Sequence, residues 1–230
     1  MLDERTRHAR ALFEGISTAY AGPAELLSFG QYGRWRRALV RSLRIGETDL
    51  VLDVATGTGL IARDMQKRYG CRVVGADQSL PMMSRAKELS DRVGADANAL
   101  PFNDSLFDRV VFSYLLRYVK DPPSTLAELL RVLKPGGTLA SVEFGVPPSL
   151  LPRLGWSAHA QGIMPLAARA FGKAWAETGA FLPRSIVEWQ EEWPLERQIA
   201  MWESAGVTEI WTKRMTFGTG VLMKGRKRGD

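Results

Sequence analysis

A glycine-rich turn between two apolar runs, with an acidic residue on either side, is the part of this chain best suited to chemistry. The strand-like segment Val51-Leu52-Asp53-Val54 leads into Gly57-Thr58-Gly59, and Asp77 closes the next apolar run. This arrangement is typical of a fold that seats a nucleoside at the first strand-to-helix turn and holds its ribose from the second strand. The sequence therefore predicts a cofactor that contains a nucleoside.

The chemical type of that cofactor depends on Asp53. Residues Gly57 to Ala62 satisfy the spacing G-x-G-x-x-A, which on its own also fits a nicotinamide or flavin dinucleotide. A dinucleotide would place its pyrophosphate against the start of the following helix, where the Asp53 carboxylate would repel it. S-Adenosylmethionine instead brings a cationic sulfonium and an ammonium group to the same place. The charge at the turn thus predicts S-adenosylmethionine as cofactor and S-adenosylhomocysteine as product.

Two further features fit an adenosyl group. Asp96 follows a third short apolar segment, where a carboxylate can accept a hydrogen bond from the adenine amino group. Met82 and Met83 come just after Asp77 and can supply a polarizable wall for the ring.

The hydrophobic periodicity indicates which elements position these residues. It predicts apolar strands separated by amphipathic helices, which is typical of a parallel sheet covered on both faces. We expect helices at 4–19, 34–43, 59–69, 79–89, 122–133 and 191–204. We expect strands at 50–54, 72–76, 92–95, 108–113 and 137–144, and a final hairpin near 207–214 and 219–224.

The prolines and glycines from Gly145 to Ser185 predict an irregular or partly helical insertion, of the kind that forms a lid or substrate wall. The fold class is therefore α/β, a three-layer Rossmann-like architecture. With 230 residues, 45% of them hydrophobic, we expect a single domain. Its expected parts are a helical cap (1–45), a cofactor-binding core (46–145), the insertion or acceptor lid (146–190), and a C-terminal helix with the hairpin (191–230).

The net charge of +6 is concentrated in two basic segments, at 34–44 and at 224–228. Such segments suit an anionic surface, but no RNA-recognition signature or interleaved aromatic pattern accompanies them. Nucleic acid is therefore disfavoured, and a peripheral membrane contact is a further expectation. The lone Cys71, the charged N-terminal segment and the lack of a long apolar run predict a cytoplasmic protein. No metal site and no particular oligomeric state are predicted.

Several motifs occur together along nearly the whole chain. They are Phe13 to Tyr20, Leu27-Ser28-Phe29-Gly30-Gln31 with Trp35-Arg36-Arg37, the turn at 51–59, Ala99-Leu100-Pro101-Phe102, Phe107-Asp108, Leu116-Arg117, the segment 131–137, Glu143-Phe144, Ser185-Ile186 and Ala205-Gly206. With these motifs the chain resembles class I methyltransferases. The Ser-Phe-Gly-Gln and Trp-Arg-Arg stretch in particular resembles the C-methyltransferases of ubiquinone and menaquinone biosynthesis.

The resemblance implies a seven-stranded sheet, with five parallel strands followed by the hairpin. By position it also implies cofactor contacts at Thr58, Asp77, Asp96, Ala97 and Ser113. The full set of predicted cofactor-binding residues is Asp53, Ala55, Thr56, Gly57, Thr58, Gly59, Asp77, Gln78, Met82, Asp96, Ala97 and Ser113. The implied reaction is methyl transfer to a ring carbon of a prenylated quinol, a small-molecule acceptor.

Such a reaction needs a phenolate-like acceptor, because a ring carbon attacks well only when a neighbouring hydroxyl loses its proton. Arg117 stays protonated, so its predicted role is to stabilise the phenolate or to hold a water that carries the proton away. The insertion and the first helices are expected to exclude water.

The chain departs from the family's pattern near the acceptor. Tyr118, Ala21 and Ala24 stand where the family commonly has Asn, Asp and Asn. Tyr20, Tyr114 and Tyr118 are candidate replacements, and His159 is a candidate base. The predicted catalytic residues are Arg117, Tyr118 and Tyr20.

Two alternatives follow from these departures. The same fold can methylate another small molecule or a lipid at O, N or C. A protein with an intact cofactor motif can also bind S-adenosylmethionine without turnover and act through a partner.

Overall fold

In a computed structural model that describes residues 4–229, a seven-stranded sheet runs through the molecule. Its strands are β1 (Leu50–Val54), β2 (Arg72–Asp77), β3 (Asp91–Gly94), β4 (Phe107–Ser113), β5 (Leu133–Phe144), β6 (Val207–Met215) and β7 (Gly220–Lys227). Their order is β3-β2-β1-β4-β5-β7-β6; the first five are parallel, and β7 is antiparallel to both of its neighbours. The predicted Rossmann-like sheet with a final hairpin is confirmed.

Helices connect these strands and cover the sheet. In the described part of the chain they are α1 (Glu4–Gly15), α2 (Ala21–Leu27), α3 (Gln31–Ser42), α4 (Leu60–Tyr69), α5 (Leu80–Met83), α6 (Pro122–Val132), α7 (Leu150–Ser157), α8 (Met164–Ala168), α9 (Lys173–Glu192) and α10 (Leu195–Ser204). A π-helical turn, Ala158–Ile163, joins α7 to α8. None of the helices within residues 4–229 has the length and apolar composition needed to cross a bilayer.

The alternation of side chains along β1 produces two cores. Leu52 belongs to a cluster that contains Trp202 of α10, whereas Val51 belongs to a cluster with Leu39 of α3 and Ile61 of α4. Successive side chains of a strand point to opposite faces, so both faces of the sheet are buried. The three-layer architecture is therefore confirmed.

A third, smaller core joins the start of the chain to the insertion. Ile16, Leu27 of α2, Ala168 of α8 and Trp175 of α9 are buried together. This cluster holds the first helices and the insertion over the carboxyl edge of the sheet, where the functional residues were expected.

Three predicted helices differ from the structure. The helix expected at 4–19 ends at Gly15, and a short 3₁₀ turn, Ser17–Ala19, follows it. The helix expected at 79–89 ends at Met83. The carbonyls of Met83 and Ala86 instead accept turn hydrogen bonds from the N–H groups of Ala86 and Leu89, and each accepts a further bond from the Arg92 guanidinium.

The helix expected at 191–204 is interrupted. The backbone leaves the helical region at Trp193, the residue before Pro194, because a proline ring clashes with a helical conformation at the preceding residue.

The segment from 145 to 185 is more helical than its prolines suggested. Pro152 lies in the first turn of α7, where a backbone N–H has no helical partner to lose. Pro165 lies in α8, directly after the π-helical turn. Pro183 lies inside the 20-residue helix α9. Strand β5 also begins four residues earlier than predicted, because Leu133 already pairs with Phe107. The register of the two strands then shifts before the next pair, Arg109 with Thr138.

Candidate active site

A cavity of about 560 Å³ opens at the carboxyl edge of the parallel strands. Its floor is formed by the loops that follow β1, β2 and β4, which is where ligands bind in open α/β sheets. Its roof is formed by the first three helices, the insertion and the turn of the β6–β7 hairpin. One continuous space therefore lies between the glycine-rich turn and the helices that cover it.

The glycine-rich turn owes its shape to backbone geometry and to Asp77. Gly57 and Gly59 have φ of 54° and 74°, a left-handed conformation that glycine adopts without penalty. The Asp77 carboxylate accepts hydrogen bonds from the backbone N–H of Gly57, at 2.8 Å, and of Ser79, at 2.7 Å. The end of β2 thus holds the turn after β1 in place.

Asp53 lies beneath this turn and does not line the cavity. It is 1% exposed, and its Oδ2 accepts a hydrogen bond of 2.7 Å from the Thr56 hydroxyl. Burial raises the pKa of Asp53 to about 7, although the bond from Thr56 opposes the shift. Asp53 therefore contacts the cavity only through the turn that it supports.

Two polar side chains after β2 reach the cavity itself. Burial raises the pKa of Asp77, while the two backbone N–H donors act in the opposite direction. Gln78 Oε1 is buried and has no hydrogen-bond partner. Buried polar atoms are rarely left unpaired, so Gln78 Oε1 is a candidate acceptor for a ligand.

The structure brings most of the predicted cofactor residues to this cavity. Those in its lining are Ala55, Thr56, Gly57, Thr58, Asp77, Gln78, Met82 and Ser113. Gly59 instead precedes α4, where a Cβ would lie 2.7 Å from Ala86 Cβ. Asp96 and Ala97 also lie outside the lining, and Asp96 Oδ1 accepts bonds from the backbone and side-chain nitrogens of Asn98, at 2.9 and 2.8 Å.

Arg117 lines the cavity as a fully buried guanidinium. It is 1% exposed, and its Nη2 donates to the Tyr118 hydroxyl at 2.6 Å. Its Nη1 lies 3.3 Å from Glu143 Oε1, and its Cζ lies 5.2 Å from the centroid of the Phe144 ring. Burial lowers the pKa of Arg117, but Glu143 and the neighbouring phenols more than offset this, so the pKa is raised. Nε and Nη1 have no hydrogen-bond partner.

Four tyrosines, Tyr20, Tyr32, Tyr114 and Tyr118, also line the cavity. The rings of Tyr20 and Tyr32 meet edge to face at 5.8 Å, and those of Tyr32 and Tyr114 stack at 6.3 Å. Burial raises the pKa of every one of these phenols above its usual value of 10. They therefore stay protonated at neutral pH and act as hydrogen-bond donors.

His159 lies in the insertion, and only one of its two ring nitrogens has a hydrogen-bond partner. Its Nε2 lies 3.0 Å from the carbonyl oxygen of Leu27, and its Nδ1 is buried without a partner. A carbonyl can only accept, so Nε2 carries the hydrogen and Nδ1 presents a lone pair. His159 also lines the cavity.

Glu143 and Tyr32 were not among the predicted functional residues. Glu143 is the one acidic residue of β5 and lies between Val142 and Phe144, and an acidic residue there is the signal that could have drawn attention to it. Tyr32 gives no such signal, because its contact with Tyr20 depends on how α2 and α3 pack.

Non-glycine residues with positive φ concentrate around the cavity. Eight such residues occur among residues 4–229, and five of them line it: Phe29, Ala55, Tyr114, Thr216 and Phe217. Each costs conformational energy that the surrounding structure must offset, and strain of this kind clusters at functional sites.

The parallel sheet, the glycine turn after β1 and the carboxylate at the end of β2 define a class I methyltransferase that depends on S-adenosylmethionine. The chain belongs to the ubiE/COQ5 methyltransferase family, whose sequence model matches residues 1–227.

Individual relatives agree with this assignment. The chain is 35% identical to the demethylmenaquinone methyltransferase of Mycobacterium marinum, over 98% of this chain and 96% of that one. It is 33% identical to the ubiquinone/menaquinone biosynthesis C-methyltransferase UbiE of Geobacter sulfurreducens, over 98% and 91% of the two chains. Among solved structures, a chain from the Haloferax volcanii complex between the Trm112 methyltransferase activator and a methyltransferase has a TM-score of 0.62 at 19% identity. That match covers 94% of this chain and 97% of the other and shows the shared fold.

Proposed function

We propose that the protein transfers a methyl group from S-adenosylmethionine to a ring carbon of a prenylated quinol of the demethylmenaquinol type. The names of the two curated relatives support both the acceptor and carbon as the methylated atom. The observation that carries the proposal is the buried Arg117 guanidinium in the wall of the cavity, whose Nε has no hydrogen-bond partner and whose Nη1 makes only the ion-pair contact with Glu143. A buried cation with N–H donors left unused is suited to a phenolate oxygen.

The cofactor belongs, in this proposal, at the turn after β1. Asp77 supplies carboxylate oxygens for the ribose hydroxyls, and the unpaired Gln78 Oε1 supplies a further acceptor for the polar groups of the cofactor. Met82 and Ser113 complete this part of the wall, while Asp53 and Gly59 shape the turn from behind. Asp96 and Ala97 follow β3, which lies beside β2 in the sheet. Asp96 remains a predicted acceptor for the adenine amino group, and Ala97 remains a predicted cofactor contact.

When bound, S-adenosylmethionine supplies a methyl group on a positively charged sulfur. The task of the chain's own residues is to make a ring carbon of the acceptor nucleophilic. Arg117 does so by stabilising negative charge on the neighbouring oxygen as its proton leaves. Glu143 acts through Arg117: as a buried counter-charge it keeps the guanidinium at this position, so it is a positioning residue.

Once the new carbon–carbon bond has formed, the ring carbon must lose its hydrogen to restore the aromatic ring while the oxygen regains a proton. One proton in total is therefore released and must go to a group that can accept it. Arg117 and the four phenols stay protonated at neutral pH. Two cavity residues, Gln78 and His159, have a buried acceptor atom without a partner, and of these two atoms only the imidazole nitrogen is a base, whereas an amide oxygen is not. His159 Nδ1 is therefore the proposed proton acceptor, directly or through a water. Tyr20 and Tyr118 are proposed to orient the acceptor by donating hydrogen bonds.

The roof of the cavity keeps bulk water from the reacting groups. Aromatic side chains from three segments contribute to it: Phe13 of α1, Trp156 of α7 and Trp175 of α9. Exclusion of water strengthens the interaction between Arg117 and the developing phenolate. The apolar character of the roof also suits a prenyl chain.

The proposal is tested by following methyl tritium from labelled S-adenosylmethionine into an extractable prenylated quinol. We expect transfer to the reduced naphthoquinol under anaerobic, reducing conditions and none to the oxidised quinone, which has no hydroxyl to ionise. Mass spectrometry of the product should place the methyl group on a ring carbon. Transfer only to an oxygen, to a nitrogen or to unrelated acceptors would contradict the proposal and favour another member of the same fold.

A further inference from the structure

An apolar surface surrounds the mouth of the cavity. It consists of five exposed side chains, Phe29, Leu150, Leu151, Leu154 and Phe217, which we call the apolar rim. Phe29 and Phe217 also line the cavity, as do Pro152, Gly155 and Trp156 of α7. The rim is therefore continuous with the opening of the active site.

Helix α7 shows this arrangement most clearly. None of its eight residues is buried, although three of them are leucines. At helical spacing Leu150, Leu151 and Leu154 share one stripe, and the residues that line the cavity lie on the other side. Leu151 is 78% exposed. The inner side of α7 thus covers the active site, and its outer side presents leucines to solvent.

Contacts between segments join the remaining parts of the rim. The Phe29 ring lies 4.6 Å from the His159 ring, which places the end of α2 against the insertion. At the hairpin turn, a Cβ added to Gly218 would lie 2.9 Å from Pro148 Cδ, which places Phe217 beside the start of α7. The rim is one surface built from three distant parts of the sequence.

Two residues of the rim are kept at a conformational cost. Phe29 and Phe217 have φ of 50° and 58°, a region in which a Cβ is unfavourable and which glycine or asparagine tolerates better. Both side chains are more than two thirds exposed, so neither recovers this cost by burial within the chain. Apart from the contact of the Phe29 ring with His159, little within the chain offsets this cost, and contacts of the two rings with a partner outside the chain would offset it.

The charge around the rim indicates an anionic partner. The 27 residues from 146 to 172 contain two arginines and no aspartate or glutamate. Arg34 and Arg37 follow Phe29 in the first two turns of α3 and are exposed. In contrast, Lys224 of the C-terminal basic segment donates to the backbone carbonyl of Ser42, and Lys227 donates to those of Leu130 and Leu133, so both ammonium groups make hydrogen bonds within the fold. Exposed leucines and aromatics flanked by arginines are typical of surfaces that enter the headgroup region of anionic bilayers.

We propose that the apolar rim docks the protein on an anionic phospholipid bilayer, with the mouth of the cavity held against the membrane. A fluid bilayer leaves the mouth open to lipid-soluble molecules, whereas a rigid protein partner on the rim would close it. The benefit of docking rests on the proposed function, because a prenylated quinol resides in the bilayer; the docking itself does not depend on it.

The test measures co-sedimentation of the full-length protein with vesicles that contain no quinol. One preparation is phosphatidylcholine alone, and the other contains about 30% phosphatidylglycerol. The variant Leu150→Gln/Leu151→Gln removes apolar surface without adding charge and keeps a good helix-forming residue at both positions. Leu106→Gln is the control, since Leu106 is exposed at the opposite, amino-terminal end of β4.

We expect wild type and Leu106→Gln to bind the anionic vesicles, and the double variant to partition at least about tenfold more weakly. Phe217→Asn should also weaken binding, although it relieves backbone strain and should not destabilise the fold. Equal binding of wild type and the double variant, or no binding to either vesicle, would overturn the proposal. Light scattering provides a further check on the oligomeric state. If wild type were a dimer and the double variant a monomer, the rim would be an interface between two copies of the chain, and the docking proposal would be overturned. Failure of the quinol assay with intact vesicle binding would count against the proposed acceptor alone.

Discussion

The guanidinium of Arg117 lies 3.3 Å from the carboxylate of Glu143, and both side chains are buried. The two residues come from different elements: Arg117 from the loop after β4, and Glu143 from the next strand of the sheet. A buried cation without its partner is unfavourable, so Glu143 allows Arg117 to remain in an apolar cavity. The pair converts a residue that is usually exposed into a fixed positive charge at the candidate active site.

We predict that stability and turnover respond differently to changes in this pair. Arg117→Met leaves Glu143 buried and unpaired, and should lower the free energy of unfolding by about 3–5 kcal/mol. Adding Glu143→Gln should recover most of that loss, as measured by urea unfolding. Turnover in the tritium assay should stay at least about 10²-fold below wild type in both variants, with cofactor affinity retained. Recovery of turnover in the double variant would show that Arg117 acts only on stability.

His159 is predicted to take up the proton that the acceptor releases. In His159→Gln the amide nitrogen can still donate to the Leu27 carbonyl, but no basic nitrogen remains at the Nδ1 position. We expect turnover to fall by about 10²–10⁴-fold, with affinity for S-adenosylmethionine retained. His8→Gln is the matched control, because His8 packs on Phe181 and lies outside the cavity lining. Turnover equal to wild type in His159→Gln would exclude His159 as the proton acceptor.

Gln78→Met is predicted to change stability and affinity in opposite directions. The substitution keeps the shape of the side chain but removes a buried oxygen that has no partner in the protein. The free energy of unfolding should therefore rise, by up to about 1 kcal/mol, because an unsatisfied acceptor is costly. Affinity for S-adenosylmethionine, measured by calorimetry, should fall about tenfold because the proposed acceptor is lost. A parallel loss of both quantities would indicate a structural role for Gln78.

Asp53→Asn is predicted to change how stability depends on pH. Burial raises the pKa of Asp53 from 3.8 to about 7, so the folded protein binds this proton more tightly than the unfolded chain. The contribution of Asp53 to the free energy of unfolding therefore falls as pH rises from about 4 to about 7.

Asparagine can still accept the bond from Thr56 but does not titrate, so the decline in stability between pH 5 and pH 8 should become smaller by about 1–3 kcal/mol. Urea unfolding at the two pH values measures this difference. Part of the slope should persist, because burial also raises the pKa of Asp77 and of Glu143. Identical slopes in wild type and Asp53→Asn would contradict the raised pKa of Asp53.

Much of the fold could be predicted because its signals are local. The strand at 50–54, the glycine turn and the helix that follows lie within twenty residues of one another, and their types depend on periodicity and on backbone freedom. The boundaries that were wrong depend on contacts with other parts of the chain. After helix α5 ends at Met83, Arg92 of β3 donates to the carbonyls of Met83 and Ala86, an interaction that the hydrophobic periodicity of 79–89 does not reveal.

The cofactor side of the candidate site was more predictable than the acceptor side. Parallel strands end at one edge of their sheet, so residues after β1, β2 and β4 must lie near each other once the strand order is known. The acceptor side depends instead on how α1 to α3 and the insertion pack over that edge. The free Nδ1 of His159 exists only because the Leu27 carbonyl, 132 residues away, engages the other ring nitrogen.

The sequence by itself determined the sheet, the turn at Asp53 to Gly59, the cofactor and the family, because each is encoded in short motifs whose chemistry is local. The tertiary structure decided which polar groups share one buried space. It placed Asp53 behind the turn rather than in the cavity, paired Arg117 with Glu143, and left Gln78 and His159 with unpaired acceptors. The physical reason is that burial and pairing depend on all the elements around a group, and these come together only when the chain is folded.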